Sequence, residues 1–198
     1  VLSGKSQVFA NPKWKVLGFS VVQSNYQHVA ASKLGVQEHP PTSMILSLLE
    51  KTPPQHETMA RQWFEILAEH VTSNVIDNWA LISSNSHIGF QPSQLSALSK
   101  IPIVPSKGSG SQPIRWLAPC QCYLGDPAKG EFHSKLFIFV DFGPIANRFL
   151  TACGSKNEPS VEEVAGILIA DPNRFYDMAG GYEKYVCDQY LDSTRLTY

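Results

Sequence analysis

The residues able to do chemistry are scattered along this sequence. Asp141-Phe142-Gly143 has the form of a magnesium-holding triplet used in phosphoryl transfer. That chemistry also needs a glycine-rich loop, a strand lysine and a catalytic loop ending in asparagine, which the sequence lacks. Pro144 follows directly, so the triplet reads as a turn before a helix. Gly4-Lys5-Ser6 matches the end of a phosphate loop, but the pattern needs another glycine about five residues earlier, ahead of Val1. Cys120, Cys122 and His133 offer three metal ligands, yet structural zinc sites space paired cysteines by roughly two to four residues and use a second pair. A one-residue gap on a strand places both thiols on one face, toward the core, so both read as buried packing residues. Cys153, just before a helix-ending glycine, reads the same way. Six histidines and four cysteines leave a cysteine–histidine pair open, and none carries a local signature. No catalytic, cofactor-binding or metal-binding residue is assigned, and no cofactor is expected.

Composition sets the bounds within which these residues act. The chain has 198 residues, 43% hydrophobic and 17% charged, with a net charge of −1. That balance suits a folded globule, and it lacks the basic footprint of a nucleic-acid binder. The longest apolar runs fall far below the roughly 18 residues a membrane span needs, and Val1-Leu2-Ser3-Gly4-Lys5 has no signal-peptide pattern. The four cysteines are expected as free thiols in a reducing, intracellular compartment, cytoplasmic or nuclear.

The elements that position these groups are short. Val16–Val22 is expected as a strand with a glycine break. Helices are expected over Asn25–Leu34, Thr42–Lys51, a stripe of Ala60, Trp63, Phe64, Leu67 and Val71, and Val75–Ile82. Ser93 caps a short helix through Leu98. Pro102 and Pro105 make their segment extended or an edge strand. Ser106–Gln112 is a Gly/Ser-rich loop. Ile114–Leu117 and Cys120–Leu124 are expected as two strands, then a turn at Asp126–Gly130 and an extended Leu136–Val140. Pro144 starts a helix to Cys153 with Ile145, Phe149 and Ala152 on one face. Trp63, Trp79 and Trp116 belong to the core, while Trp14, between Lys13 and Lys15, is a candidate for exposure. A short helix to Met178 follows Pro172, Gly180-Gly181 breaks the chain, and Tyr182–Leu191 forms a last helix. The fold class is α+β, mostly helical with a few short strands in a small antiparallel hairpin or sheet.

The most legible stretch is Phe149–Ala170. Gly154 suits a left-handed helix end, and Ser160 with Glu163 makes a capping box. Val161, Val164, Ala165 and Leu168 then form an apolar helical stripe, stopped by Asp171-Pro172. The same order of signals occurs earlier: Leu34-Gly35, Glu38-His39-Pro40-Pro41-Thr42, an apolar run of Ile45, Leu48 and Leu49, and Thr52-Pro53. Phe9–Pro12 parallels Tyr123–Pro127, and Lys15–Phe19 parallels Lys135–Phe139. This order indicates an internal duplication, with residues 1–90 as a first unit incomplete at its beginning and 91–198 as a second, in one continuous globule. The missing beginning implies a piece of a longer protein.

Several of these runs resemble a large fungal family. They are Leu17-Gly18-Phe19, Leu34–Thr42, Ala60-Arg61-Gln62-Trp63-Phe64-Glu65, Pro102–Pro105, Arg115-Trp116-Leu117-Ala118-Pro119, Val140–Gly143 with Ala146-Asn147, and Ala152-Cys153-Gly154 through Glu158–Glu163. Members carry an N-terminal ATP-binding domain of the gyrase, chaperone and histidine-kinase type, followed by a long further region. Their layout is similar to sacsin and the plant protein NO VEIN. The resemblance covers roughly residues 6–180 and carries none of the ATP-binding motifs. Asp188-Gln189-Tyr190-Leu191-Asp192 departs from it, being acidic where the resemblance implies a long basic helix. The resemblance implies a non-catalytic scaffold module of a chaperone-like protein, any ATPase activity lying outside this chain. Protein contact or self-association is the expected mode, with no nucleic acid and no membrane. The alternative is a small stand-alone enzyme with a cysteine or carboxylate site, which a thiol of strongly lowered pKa would favour.

Overall fold

The computed structural model describes residues 7–23, 35–71, 89–106, 114–125 and 136–178. Expectations for Gly4-Lys5-Ser6, the helices at 25–34 and 75–82 with Trp79, nearly all of the Gly/Ser loop, the turn at 126–130, His133, and the last helix with Cys187 lie outside these residues. The chain divides into two units. One comprises Val1–Cys120 and Phe142–Ser155, the other Gln121–Asp141 and Lys156–Tyr198.

In the first unit, β1 (Val8–Phe9) pairs in parallel with β2 (Ser20–Val21), in the register Val8↔Ser20 and Phe9↔Val21. Phe9 also bridges Gln37 in parallel. The segment joining β1 to β2 is a 3-10 helix, Pro12–Leu17, where a strand was expected from Val16 onward. Local chemistry explains it. Pro12 presets the first turn, the Asn11 side chain accepts from the Lys13 N–H at 3.0 Å, and Gly18 closes the helix at φ 88°. At three residues per turn, Trp14 and Leu17 share the inward side. Trp14 is therefore 1% exposed, which corrects the expectation drawn from its flanking lysines.

Helix α1 (Thr42–Lys51) starts after Pro41 and buries Ile45 and Leu49. Helix α2 (Glu57–Ala68) turns Ala60, Trp63, Phe64, Leu67 and Ala68 inward. It ends before Val71, which the apolar stripe had included. Helix α3 (Pro92–Leu98) is capped at Gln91, whose N–H donates to Gln94 Oε1 at 2.9 Å, and not at Ser93. Strand β3 (Val104–Ser106) pairs antiparallel with β4 (Arg115–Leu117). Helix α4 (Pro144–Ala152) packs on α2 through Ala146, Phe149 and Leu150, leaving Ile145 exposed, so the inward face is rotated from the expected one. Phe149 stacks on Phe64 with centroids 5.5 Å apart and lies 5.9 Å from Phe90, while Phe142 meets Phe64 edge-on at 5.4 Å. These rings are the core of the unit.

In the second unit, β5 (Tyr123–Leu124) pairs in parallel with β6 (Phe139–Val140), and Tyr123 bridges Lys156. Cys120 belongs to a 3-10 turn, Pro119–Gln121, and is exposed; it is neither on a strand nor in the core. Helices α5 (Val161–Ala170) and α6 (Pro172–Met178) follow and pack together. The fold is α+β and mostly helical, but only one of the three described two-stranded sheets is antiparallel.

The two parallel pairs are built alike. In each, the first strand pairs with the second and is then bridged in parallel by a third segment, at Gln37 and at Lys156. A left-handed glycine sits two residues before each bridge, Gly35 at φ 77° and Gly154 at φ 100°. A ten-residue helix follows each, α1 and α5, stopped by a proline after a non-helical C-cap, Thr52 and Asp171. The glycines, the bridging residues and the helices are each 119 positions apart. The order of glycine, parallel bridge, ten-residue helix and proline thus recurs at one spacing.

Candidate functional site

The groups with chemical potential are mostly occupied by structure. Phe142 of the Asp-Phe-Gly triplet is buried, and its N–H donates to Asn147 Oδ1 at 3.1 Å. Gly143, at φ 90°, is the N-cap of α4, and Asp141 is exposed. The triplet is a helix entry, as its proline implied. Cys153 is buried, and burial pushes its thiol up to about 12, opposite to the shift a nucleophile needs. Cys122 is also buried and Cys120 exposed. Among the described residues, no group of three or more His, Cys, Asp or Glu side chains stands ready to hold a metal ion. In native protein, iodoacetamide is expected to label Cys120, with Cys122 and Cys153 reacting only after unfolding. Peptide mass mapping checks this; native labelling of Cys153 at the Cys120 rate would contradict it.

Sequence reasoning missed one cluster, because its members are distant in the chain and follow no spacing rule. Trp14 Nε1 donates to His39 Nδ1 at 3.1 Å and stacks on His70 at 5.1 Å. An indole N–H can only donate, so the His39 ring proton sits on Nε2, which faces Glu38 Oε2 at 3.8 Å. A cleft of about 480 Å³ lies alongside, lined by Gln37, Glu38, His39, Pro41, Thr42, Gly89 and Gln91. The indole occupies His39 Nδ1 and the ring stack holds the imidazoles, so the cluster mainly locks the 3-10 helix to the segment before α1.

Among the described residues, the two most exposed large apolar side chains lie on α5. Its start is firmly built. The Glu163 N–H donates to Ser160 Oγ at 3.3 Å, and Glu163 Oε2 accepts from the Ser160 N–H at 2.7 Å. This is the capping box that the sequence showed. Lys156 Nζ sits 2.7 Å from Glu163 Oε1, and the Tyr123 hydroxyl lies close enough to feel the same carboxylate. The Lys156 ammonium first, then the Ser160 N–H, hold the Glu163 carboxyl down at about 2. Burial and the neighbouring carboxylate push Tyr123 up to about 12. One network thus ties β5, the bridging segment and the α5 cap together.

A depressed folded-state pKa means that Glu163 contributes stability above its ordinary pKa of 4.5 and loses it as pH falls toward about 2. The stability gap between parent and Glu163→Gln is therefore expected to hold from neutral pH to about pH 5 and to close across that acid window. Thermal melts at stepped pH check it; a gap unchanged at pH 2 would contradict it.

The helix this network anchors has no buried residue. Val161 is 80% exposed, Ile169 81% and Leu168 38%. Residues 161, 165 and 169 form one ridge, and Glu162, Gly166 and Ala170 the adjacent row. The expected stripe of Val161, Val164, Ala165 and Leu168 is therefore only half covered, with Val161 pointing out. The repeat supplies the contrast. Its equivalent, α1, fully buries Ile45 and Leu49, and has Thr42, Glu50 and Lys51 where α5 has Val161, Ile169 and Ala170. An apolar helix face is ordinarily covered.

No helix among the described residues is long and apolar enough to cross a membrane. Residues 1–189 match the model of a protein family described as "Protein of unknown function (DUF3684)". No curated protein and no solved structure matches the chain.

Proposed function

We propose that this chain, which belongs to the DUF3684 family, is a non-catalytic scaffold module whose α5 face makes protein contacts. The observation that carries this reading is the contrast between two helices of the same plan: exposed Glu50 and Lys51 on α1 stand where α5 has exposed Ile169 and Ala170, and Val161 at its start is 80% exposed. One copy presents a solvent face, and the other presents side chains that water disfavours, at roughly 25 cal/mol per Å² of apolar surface. The Glu163 network holds that face in a fixed position, which lowers the ordering cost of binding.

The resemblance described above extends the proposal. The module works inside a longer, chaperone-like intracellular protein, where it relays contacts to or from a histidine-kinase/chaperone-type ATP-binding domain. Its near-neutral charge and the carboxylates around α5 disfavour nucleic acid and anionic membrane surfaces.

The test is a photo-crosslinking amino acid placed at Ile169, and separately at Gln62 on the polar side of α2, in the protein within its own cells. Crosslinks to protein from position 169 well above those from position 62 are expected. Equal, background-level crosslinking from both would overturn the reading.

A further inference from the structure

The cleft beside the Trp14–His39–His70 cluster presents a donor and an acceptor side by side. The Trp14 indole N–H takes His39 Nδ1 at 3.1 Å, which keeps the imidazole neutral and puts its proton on Nε2. Nε2 stands 3.8 Å from Glu38 Oε2, too far for a hydrogen bond between them. Among the described residues, no side chain accepts the Nε2 proton at hydrogen-bond distance. Both residues line the cleft of about 480 Å³, a volume ordinary for small-molecule sites. The His39 side chain is 14% exposed and that of Glu38 62%. A largely shielded N–H therefore sits next to an accessible carboxylate.

The walls of the cleft are fixed by the fold. The Ala10 N–H donates to the Gln37 carbonyl at 2.9 Å and the Asn11 N–H to the Glu38 carbonyl at 3.2 Å, which pins the backbone that carries the pair. Gln94 is a fork between two further lining residues. Its Nε2 donates to Thr42 Oγ1 at 3.1 Å, and its Oε1 accepts from the Gln91 N–H at 2.9 Å. Walls held in this way lower the ordering cost of binding.

We infer that this cleft binds a small neutral molecule through a carboxamide or lactam edge. The ligand carbonyl accepts from the His39 Nε2–H, and the ligand N–H donates to Glu38 Oε2. At 3.8 Å apart, the two protein atoms are within reach of one planar group with a hydrogen bond to each. Charged groups of the same shape fit less well. A carboxylate is repelled by Glu38, and an amidinium brings the His39 N–H no acceptor. No residue lining the cleft lies on α5, so this inference is independent of the contact-module reading.

The probes are benzamide, benzoate and benzamidine, which share one shape and differ in the charge of the head group. Each is titrated into the whole ¹⁵N-labelled chain, and binding is read by NMR at the Trp14 indole N–H. Benzamide is expected to give a saturable shift and to bind at least tenfold tighter than either charged probe. Glu38→Ala is expected to weaken benzamide at least tenfold and to remove its preference over benzoate. His39→Asn places an oxygen where Nδ1 stood, so the indole keeps its acceptor while the Nε2 donor is lost. It is expected to weaken benzamide at least tenfold with the indole resonance retained. Gln62→Ala on α2 is expected to leave binding unchanged.

Benzoate or benzamidine binding as tightly as benzamide would overturn the inference, as would no saturable shift with benzamide. Glu38→Ala decides the matter even if His39→Asn fails to fold, because the Glu38 side chain is mostly exposed and circular dichroism should match the parent. Benzamide binding untouched by Glu38→Ala would also overturn it. Crosslinking at position 169 bears on the contact-module reading alone, so the two readings fail separately.

Discussion

Phe149→Ala is expected to lower the unfolding free energy by about 3–5 kcal/mol, the range for deleting a buried aromatic ring. Phe149 is fully buried on α4 between Phe64, stacked at 5.5 Å, and Phe90 at 5.9 Å. Phe64 in turn holds Phe142 edge-on. Removing the central ring deprives two neighbours of their packing partner at once, and α2 cannot collapse into the space without moving α4. The less drastic Phe149→Leu keeps most of the volume and is expected to cost clearly less. Chemical denaturation of the three proteins measures this. A loss near 1 kcal/mol for the alanine form would mean that α2 and α4 are not packed as described.

Gly154→Val is the second large effect, expected at about 2–3 kcal/mol. Gly154 sits at φ 100°, a backbone conformation that a branched side chain adopts at a cost of about 1–2 kcal/mol. Any Cβ there would also lie 3.0 Å from Ser99 Oγ. The repeat provides an internal control. Gly35 has the equivalent role at φ 77°, and a Cβ there would meet nothing within 4 Å. Gly35→Val is therefore expected to show the backbone cost alone, and the difference between the two variants reports the Ser99 contact. Ser99→Gly added to Gly154→Val is expected to recover that difference in a melting experiment. Equal losses at both glycines would show that Ser99 plays no part.

Local signals were legible where they act over a few residues. The Ser160–Glu163 box, the left-handed Gly154, the Pro172 stop and the α6 helix all follow from residue types at fixed short offsets. So does the recurrence of glycine, bridge and helix 119 residues apart, because it repeats those offsets in order. What was lost depends on a competing local preference or on distant contacts. Val16–Val22 has strand-forming residues, but Asn11-Pro12 and Gly18 close a 3-10 helix first, and its three-residue turn carries Trp14 inward. Cys120 was placed in the core because alternation was assumed, and Pro119 instead starts a 3-10 turn. The Trp14–His39–His70 cluster joins residues with no shared spacing, so no pattern could find it.

The candidate surface was half legible. An apolar stripe on α5 was evident, and a stripe is ordinarily a buried face. Only the comparison with α1 at equivalent positions shows that Val161 and Ile169 lie on the side where the sister helix is polar. Composition could not reveal this, since exposure is a property of what packs against a helix and not of the helix alone.

The claim that the outward face of α5 is covered by protein in the working state is open to one direct measurement. Ile169→Cys is introduced, with Gln62→Cys on α2 as a second protein, and maleimide labelling of each new thiol is followed by peptide mass mapping. Labelling is compared between the purified chain and the whole protein in its own cell extract. The account predicts fast labelling at both positions in the purified chain, and in extract at least tenfold protection at 169 with none at 62. Equal labelling rates at 169 in both settings would contradict it.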